Sequence, residues 1–312
     1  MARSIDVAQT NHNNMIKRII KKNKVLLTIA KKIEKLLLWC LPRSMAHKIF
    51  YRRVTDKELN LSFPKDFNEK LHYLIVYKFG KKEAQYADKY LVREYIEKSG
   101  YGELLPKLYG TYKKSREINF DKLPDQFVLK TNHGCGGVII CQNKCELNID
   151  ACKKQLDNDL KRNYAKVALE YHYGSIKSRI ICEEYINDGS GQSPIDYKIY
   201  CFNGKPECVL TVTERDIAAK LSHYDRNWNR LEHIVEKYRS EKELDKPVNL
   251  EEMMEISADL SKPFPFVRVD FYNVAGKIYF GELSFTPAAG VITYFTQETL
   301  DYFGSLIDVD KY

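Results

Sequence analysis

The sequence lacks the features that mark several common protein classes. Its 312 residues contain only two tryptophans and no long apolar run. The longest uncharged run near the N-terminus has about seven residues, whereas a membrane-spanning helix needs about twenty. The first fourteen residues are polar, which argues against a secretory signal. With 44% hydrophobic residues, the chain is long enough for a sizeable core.

Cysteine usage excludes a conventional zinc site. None of the eight cysteines is separated from another by the CxxC spacing. Several lie in apolar runs, where cysteine packs as a small hydrophobe. Free thiols without a secretory signal predict a cytoplasmic protein.

Acidic residues are scarce only in the N-terminal region. Residues 1–53 carry thirteen basic and two acidic side chains, and the rest of the chain carries thirty-seven basic and forty acidic ones. The net charge of +8 therefore belongs to the N-terminal region. A nearly neutral body argues against a nucleic-acid partner.

Residues 1–60 are interpreted as a basic amphipathic helical arm. Residues 1–14 are expected to be disordered, residues 15–41 to form a helix with apolar and lysine-rich faces, and residues 43–66 to be a polar connector. Such a helix can lie on an anionic membrane, at the inner face in a cytoplasmic protein, or it can pack on the body with solvated lysines.

Residues 61–312 are predicted to be an α+β body. Two helices are expected at 67–79 and 88–99, followed by strand-rich segments joined by glycine turns. Further helices are predicted at 148–172 and 250–261, strands at 196–202, 208–213, 266–272 and 277–283, and a polar excursion at 214–246. The body divides into a small lobe at about 125–190 and a large lobe at about 191–312.

Three segments carry candidate chemistry. The first is a strand that ends at Lys130 and enters a loop containing Gly134, Gly136 and Gly137. Glycines let backbone N–H groups approach phosphate oxygens, and the lysine adds a positive charge. The alternative is an ordinary hairpin turn, because no Gly-Lys-Ser/Thr sequence follows.

The second segment is an apolar strand that ends in Glu183, Glu184, Tyr185 and Ile186. It can present backbone groups to an adenine edge, pack Tyr185 and Ile186 on the ring and leave an acid for the ribose. The alternative is an edge strand with solvated carboxylates.

The third segment is a hairpin in which Asp270 and Glu282 are expected to face each other. Two adjacent carboxylates repel unless a cation joins them, so the pair suggests magnesium completed by phosphate oxygens. Unpaired charge in apolar strands is costly, which favours a metal over a purely structural pair. Arg268 is expected on the opposite face of its strand unless a bulge intervenes.

Taken in order, these segments resemble the ATP-grasp superfamily, and in particular its teichuronopeptide-biosynthesis-like branch. The likeness covers about residues 67–307. The matching stretches are 87–95, 127–137, 196–206, 268–272 and 281–287.

The resemblance implies an ATP-grasp fold, with two α+β lobes of mostly antiparallel strands that clasp ATP and Mg²⁺. It assigns the nucleotide phosphates to Lys89 and Lys130, the flexible lid to 134–137, and the adenine-binding connector to 183–186. It assigns magnesium to Asp270 and Glu282, an acyl phosphate to Arg268, and a phosphate or substrate contact to Lys198. Ser284 stands where many members have asparagine, which weakens a second metal position.

The function expected from the resemblance is a Mg-ATP-dependent carboxylate–amine ligase of capsule or exopolysaccharide biosynthesis. Its partners would be a carboxylate-bearing glycan or sugar and an amine acceptor. Two other functions remain open. A glycosyltransferase of polysaccharide biosynthesis would also use an acidic pair and a divalent metal, and a non-catalytic membrane-associated assembly protein would keep the fold alone.

Overall fold

The computed structural model describes residue 33 and residues 36–187, 193–214 and 218–311. Most of the helix predicted at 15–41, and all of the disorder predicted at 1–14, therefore lie outside the described residues. Of that predicted helix, residues 36–40 are helical. Ile33, Leu36 and Leu37 are exposed.

The segment predicted as a polar connector, 43–66, contains a helix, so that prediction was wrong. Helix α1 spans Arg43–Thr55 and begins after Pro42, with no side-chain cap. It ends at Asp56, whose φ of 58° is left-handed. Its buried residues Ala46, His47 and Tyr51 recur at helical spacing and hold it to the body.

Helix α2, Phe67–Tyr77, confirms the first helix predicted in the body. The Asp66 carboxylate accepts a hydrogen bond from the Glu69 N–H and caps the helix start. The second predicted helix, 88–99, corresponds to the shorter helix α4, Val92–Lys98, and it is preceded by a helix that was not predicted, α3, Lys81–Ala87. Asp88 accepts bonds from the N–H groups of Tyr90 and Leu91, forming a turn between them.

The first sheet has four antiparallel strands in the order β1-β4-β2-β3. Their bounds are β1 Leu108–Tyr112, β2 Phe127–Thr131, β3 Ile139–Cys141 and β4 Ile180–Glu183. The helix predicted at 148–172 is broken into α5, Ile149–Leu160, and α6, Tyr164–Ala168. Buried Leu156 of α5 belongs to the same apolar cluster as Phe127 and Leu129 of β2, so α5 covers this sheet.

The second sheet has six antiparallel strands in the order β10-β9-β5-β6-β7-β8. Their bounds are β5 Asp196–Phe202, β6 Lys205–Thr213, β7 Lys220–Asp225, β8 Arg230–Leu231, β9 Phe266–Val274 and β10 Lys277–Ser284. Strands β7 and β8 lie in the segment predicted as a polar excursion, 214–246, so that prediction was wrong. The polar residues Ser222 and His223 are buried in β7.

The larger core forms around this second sheet. Helix α7, Leu250–Ser261, packs on it, and helix α8, Gln297–Ser305, packs on α2 and contacts Tyr200 and Phe202 of β5 through Phe303. Phe67 of α2 lies within ring-contact distance of Phe266 and Phe303, with centroids 4.8 and 5.7 Å away. Aromatic contact thus ties α2 and α8 to the sheet that carries the two candidate metal ligands.

Strand β10 contains a bulge that shifts the phase of its side chains. Phe280 pairs with Phe271, and Glu282 pairs with Asp270, so Gly281 is the additional residue. Buried Ile278 and Phe280 precede the bulge. After it, the buried apolar positions are 283 and 285, which leaves Glu282 on the opposite face.

Among the described residues, no helix has the length and apolar character required to cross a bilayer. The first sheet begins with β1 at Leu108, before the predicted start of the small lobe at about residue 125. The division into two lobes stays a prediction.

Candidate functional site

A cavity of about 370 Å³ lies between the two sheets. One part of its wall is apolar and the other carries lysines and carboxylates. The residues that line it include Val128, Lys130, Ile140 and Glu183 from the first sheet, and Lys198, Asp270, Phe280 and Glu282 from the second. An apolar wall next to convergent charges suits a ligand with a flat ring and an anionic end.

Asp270 and Glu282 lie directly opposite each other in the β9–β10 pairing, as predicted. Arg268 lies on the same face as Asp270, so its predicted position on the opposite face was wrong. Residues two apart in a strand share a face, so the period-two alternation places Arg268 beside Asp270. The Arg268 Nε–H donates to Asp270 Oδ1 at 2.6 Å, and Nη2 donates to Asp270 Oδ2 at 2.7 Å.

The two carboxylates also bind two lysines. Lys198 Nζ lies 2.5 Å from Asp270 Oδ2 and 3.8 Å from an oxygen of Asp196. Lys89 Nζ lies 2.9 Å from Glu282 Oε2 and donates to the Gly134 carbonyl at 3.1 Å. Arg268 Nη2 reaches Glu282 Oε1 at 3.4 Å.

Glu183 joins two further cations. Its Oε2 lies 2.5 Å from Lys130 Nζ, and its Oε1 lies 3.1 Å from Arg93 Nη1. The Glu183 side chain is only 6% exposed, so it faces the lysine and not the solvent. Glu183 therefore holds a lysine of the cavity wall, although it was predicted within the adenine-binding connector.

The rest of the connector lines the cavity. The Glu184 carboxylate accepts from the Lys107 N–H at 3.2 Å, which fixes it against β1. The Tyr185 hydroxyl accepts from Gln142 Nε2 at 2.8 Å. Both residues and Ile186 contribute to the wall of the cavity.

The glycine loop between β2 and β3 closes one side of the cavity. Gly134 and Gly136 line it, and Gly136 has a φ of 77°, which favours glycine. A Cβ at Gly134 would overlap the Tyr164 ring. Gly137, with a φ of 65°, faces Asp159 and does not line the cavity.

The charges of the ion-paired side chains around the cavity nearly cancel. Five cations, Lys89, Arg93, Lys130, Lys198 and Arg268, face four carboxylates, Glu183, Asp196, Asp270 and Glu282. This set of nine side chains, the site cluster, has a net charge of +1. A highly charged anion would therefore need an additional cation to bind well.

The charges of the site cluster also shift the pKa values of its own side chains. Burial alone would raise the pKa of Glu282, but Lys89, Arg268 and Lys198 outweigh burial and hold that pKa well below its usual range. Burial alone would lower the pKa of Lys89, and Glu282 raises it above its ordinary value. Both side chains are therefore charged at neutral pH.

No group of three or more His, Cys, Asp or Glu side chains that could hold a metal occurs in the described part of the chain. Among the carboxylates that line the cavity, Asp270 and Glu282 are the pair that lie directly opposite each other and could offer oxygens to a shared cation. Ser284 pairs with Arg268, two positions beyond Glu282, and neither Ser284 nor Arg268 lines the cavity.

Two residues near the site had received no role from the sequence. Arg93 lies in the matching stretch 87–95, but its partner Glu183 is ninety positions away and no local pattern joins them. Glu170 accepts a short hydrogen bond from the Thr286 hydroxyl, and burial raises its pKa to about 7. The helix predicted at 148–172 gave no indication of this contact.

Two antiparallel sheets with a charged cavity between them agree with the ATP-grasp fold expected from the sequence. The family model described as TupA-like ATPgrasp matches residues 69–308, and the chain belongs to this family. The chain matches none of the curated proteins with which it was compared.

Several solved structures are similar in fold. D-alanine–D-alanine ligase from Bacillus anthracis, complexed with ATP, is 17% identical, with a TM-score of 0.38 over 72% of this chain and 63% of that one. The Helicobacter pylori ligase of the same name is 16% identical, with a TM-score of 0.43 over 78% and 67%. Carboxyaminoimidazole ribonucleotide synthase from Aspergillus clavatus, complexed with ATP, is 9% identical, with a TM-score of 0.41 over 64% and 45%. This chain thus spans less than two thirds of the first of these proteins.

Proposed function

We propose that this protein is a Mg-ATP-dependent carboxylate–amine ligase that acts through an acyl phosphate. The observation that supports this most is the direct pairing of Asp270 with Glu282 at a cavity that Lys89, Lys130 and Lys198 also line. Family membership supports ATP as the nucleotide.

The adenine would lie against Tyr185 and Ile186, where the wall is apolar. Its triphosphate would point to Lys89 and Lys130, beneath the loop of Gly134, Gly136 and Gly137. Glu184 is the remaining connector acid and would face the ribose. The apolar part of the wall excludes water and the charged part matches phosphate oxygens.

The residues present fit magnesium. Mg²⁺ commonly binds one or two carboxylates and completes its shell with water and phosphate oxygens, and two opposed carboxylates meet that requirement. Asp270 and Glu282 would hold it, with Ser284 as the third and weaker candidate. When bound, magnesium neutralises charge on the phosphates and orients them.

The reaction joins two substrates in two steps. An oxygen of the substrate carboxylate attacks the γ-phosphorus, the bond to ADP breaks, and an acyl phosphate forms. The amine nitrogen then attacks the acyl carbon, phosphate leaves, and the amine loses a proton to give the amide. Arg268, with Lys130 and Lys198, would stabilise negative charge in the first step.

The proposed substrates are those expected for the teichuronopeptide-biosynthesis-like branch of the superfamily. A uronic-acid carboxylate on a cell-surface glycan, and an amino acid or amino alcohol, fit a role in capsule or exopolysaccharide biosynthesis. A cytoplasmic protein that works on such a polymer would benefit from contact with the inner face of the membrane.

The membrane contact would be made by residues 15–41. Ile33, Leu36 and Leu37 are 53%, 58% and 63% exposed, so apolar side chains are available beside the lysines of this segment. Sedimentation with anionic vesicles but not with neutral ones is the expected result. Equal recovery with both vesicle types, or with neither, would reject the contact.

Nucleotide specificity tests the proposed class. We expect Mg-ATP to raise the melting temperature of the protein, and Asp270→Asn to reduce that shift strongly. Stabilisation by a uridine-diphosphate sugar and not by ATP would favour a glycosyltransferase and reject the ligase.

Turnover separates a ligase from a non-catalytic assembly protein. Phosphate release should require ATP, magnesium, a uronic-acid oligosaccharide and an amine together, with mass spectrometry detecting the amide. ATP binding without phosphate release, across a panel of amino acids and amino alcohols, would favour the non-catalytic alternative.

A further inference from the structure

Arg93 lies outside the cavity lining but is connected to it through one buried carboxylate. It occupies the first turn of α4, and its side chain is 13% exposed. Nη1 lies 3.1 Å from Glu183 Oε1, and Nη2 donates to the Pro106 carbonyl at 2.9 Å. The guanidinium is thus fixed at two points, on a side chain and on the backbone.

Glu183 divides its two oxygens between two cations. Oε1 binds Arg93 and Oε2 binds Lys130 at 2.5 Å, and the Lys130 side chain is 20% exposed where it lines the cavity. Because one carboxylate cannot neutralise two cations, these three side chains keep a charge of +1. Lys130 and Glu183 both line the cavity, and Lys130 is the one of the two cations that reaches it.

Removing Arg93 would change both the charge and the geometry. Glu183 would then keep Lys130 as its ion-pair partner, the pair would be neutral, and the carboxylate would be free to rotate. A lysine held by both oxygens of a buried carboxylate would be less available to a phosphate group.

We propose that Arg93 is a positioning residue for nucleotide phosphates, acting through Glu183 to orient Lys130 and to leave it available to bind them. This rests on the proposed function, because it takes ATP as the ligand. Arg93 itself would touch no part of the nucleotide, so its effect should grow with the number of phosphates and vanish for adenosine.

The test compares ATP, ADP, AMP and adenosine by isothermal titration of the full chain in magnesium buffer. For Arg93→Met, ATP should bind about tenfold more weakly, the change that roughly 1.4 kcal/mol produces, while adenosine affinity stays the same. Arg93→Lys keeps the charge and should restore most of the ATP affinity. Arg226→Met, at an exposed turn, is the matched control and should change nothing.

The outcomes separate the two proposals. If the unmodified protein binds adenosine and ATP equally or binds neither, the proposed function fails, and this inference fails with it. If the affinity of the unmodified protein rises with the number of phosphates, and the affinity of Arg93→Met rises equally, only the role of Arg93 is refuted. Equal weakening of ATP and adenosine binding would assign Arg93 a merely structural role. If Arg93→Met misfolds, the ratio of ATP affinity to adenosine affinity is measured in Arg93→Lys and Arg93→Gln instead.

Discussion

Glu282→Gln should reverse the effect of magnesium on nucleotide binding. The substitution raises the net charge of the site cluster from +1 to +2 and removes one of two opposed carboxylates. A unit charge about 5 Å from a phosphate contributes roughly 3 kcal/mol at an effective dielectric constant of about 20. Because this side chain is 33% exposed, solvent and salt reduce the contribution to about 1.4 kcal/mol, or about tenfold in affinity.

We therefore expect metal-free ATP to bind Glu282→Gln about tenfold more tightly than the unmodified protein, and Mg-ATP about tenfold more weakly. Titration calorimetry with magnesium and with EDTA measures both. Glu251→Gln is the control, because it removes a carboxylate from an exposed ion pair with Lys246. If magnesium strengthens ATP binding equally in the variant and the unmodified protein, Glu282 does not hold the metal.

Three further substitutions test separate parts of the site. Gly134→Ala should lower the free energy of unfolding by about 1–3 kcal/mol and weaken ATP binding, because the new methyl group overlaps Tyr164; unchanged urea midpoint and affinity would contradict this. Glu170 has a pKa raised to about 7 by burial, so its protonated form stabilises the fold, and that stabilisation is lost as pH rises from about 4.5 to about 7. Relative to Glu170→Gln, the unmodified protein should lose on the order of 2 kcal/mol over this range in urea titrations, and a pH-independent difference would refute the shift. Ser284→Ala should change Mg-ATP affinity less than about twofold, because Ser284 does not line the cavity, and a tenfold loss would make it a metal ligand.

Local patterns predicted elements that have clear boundaries in the sequence, such as the Asn203-Gly204 turn after one strand and Asn249 before one helix. The predicted strand 196–202 and helix 250–261 coincide with β5 and α7. The facing of Asp270 and Glu282 was also predicted, because a hairpin makes its two strands neighbours and limits the register. The fold class and this pairing therefore followed from the sequence.

Other elements gave no readable pattern. Helix α1 starts without a side-chain cap or an acidic residue in its first turn, so its polar sequence resembled a connector. Strand β7 buries Ser222 and His223, which hides the alternation of apolar and polar residues. In both segments, packing against distant parts of the chain outweighs local preference.

The contacts of Arg93 and Glu183 had no sequence signal either. Their pairing depends on how α4 meets the end of β4, and sequence spacing does not determine that approach. Glu183 was predicted within the connector, and the direction of its side chain depends on two cations from other elements.

The bulge at Gly281 makes the main chain responsible for the spacing of the two opposed carboxylates. A Cβ at this residue would lie 3.0 Å from the Asp270 carbonyl oxygen, so any side chain there would push the strands apart by a few tenths of an ångström. That is close to the difference between the oxygen distances that magnesium and calcium prefer. If Asp270 and Glu282 hold magnesium as proposed, a residue without a side chain would set the preferred ion size, and Gly281→Ala should shift the preference towards calcium.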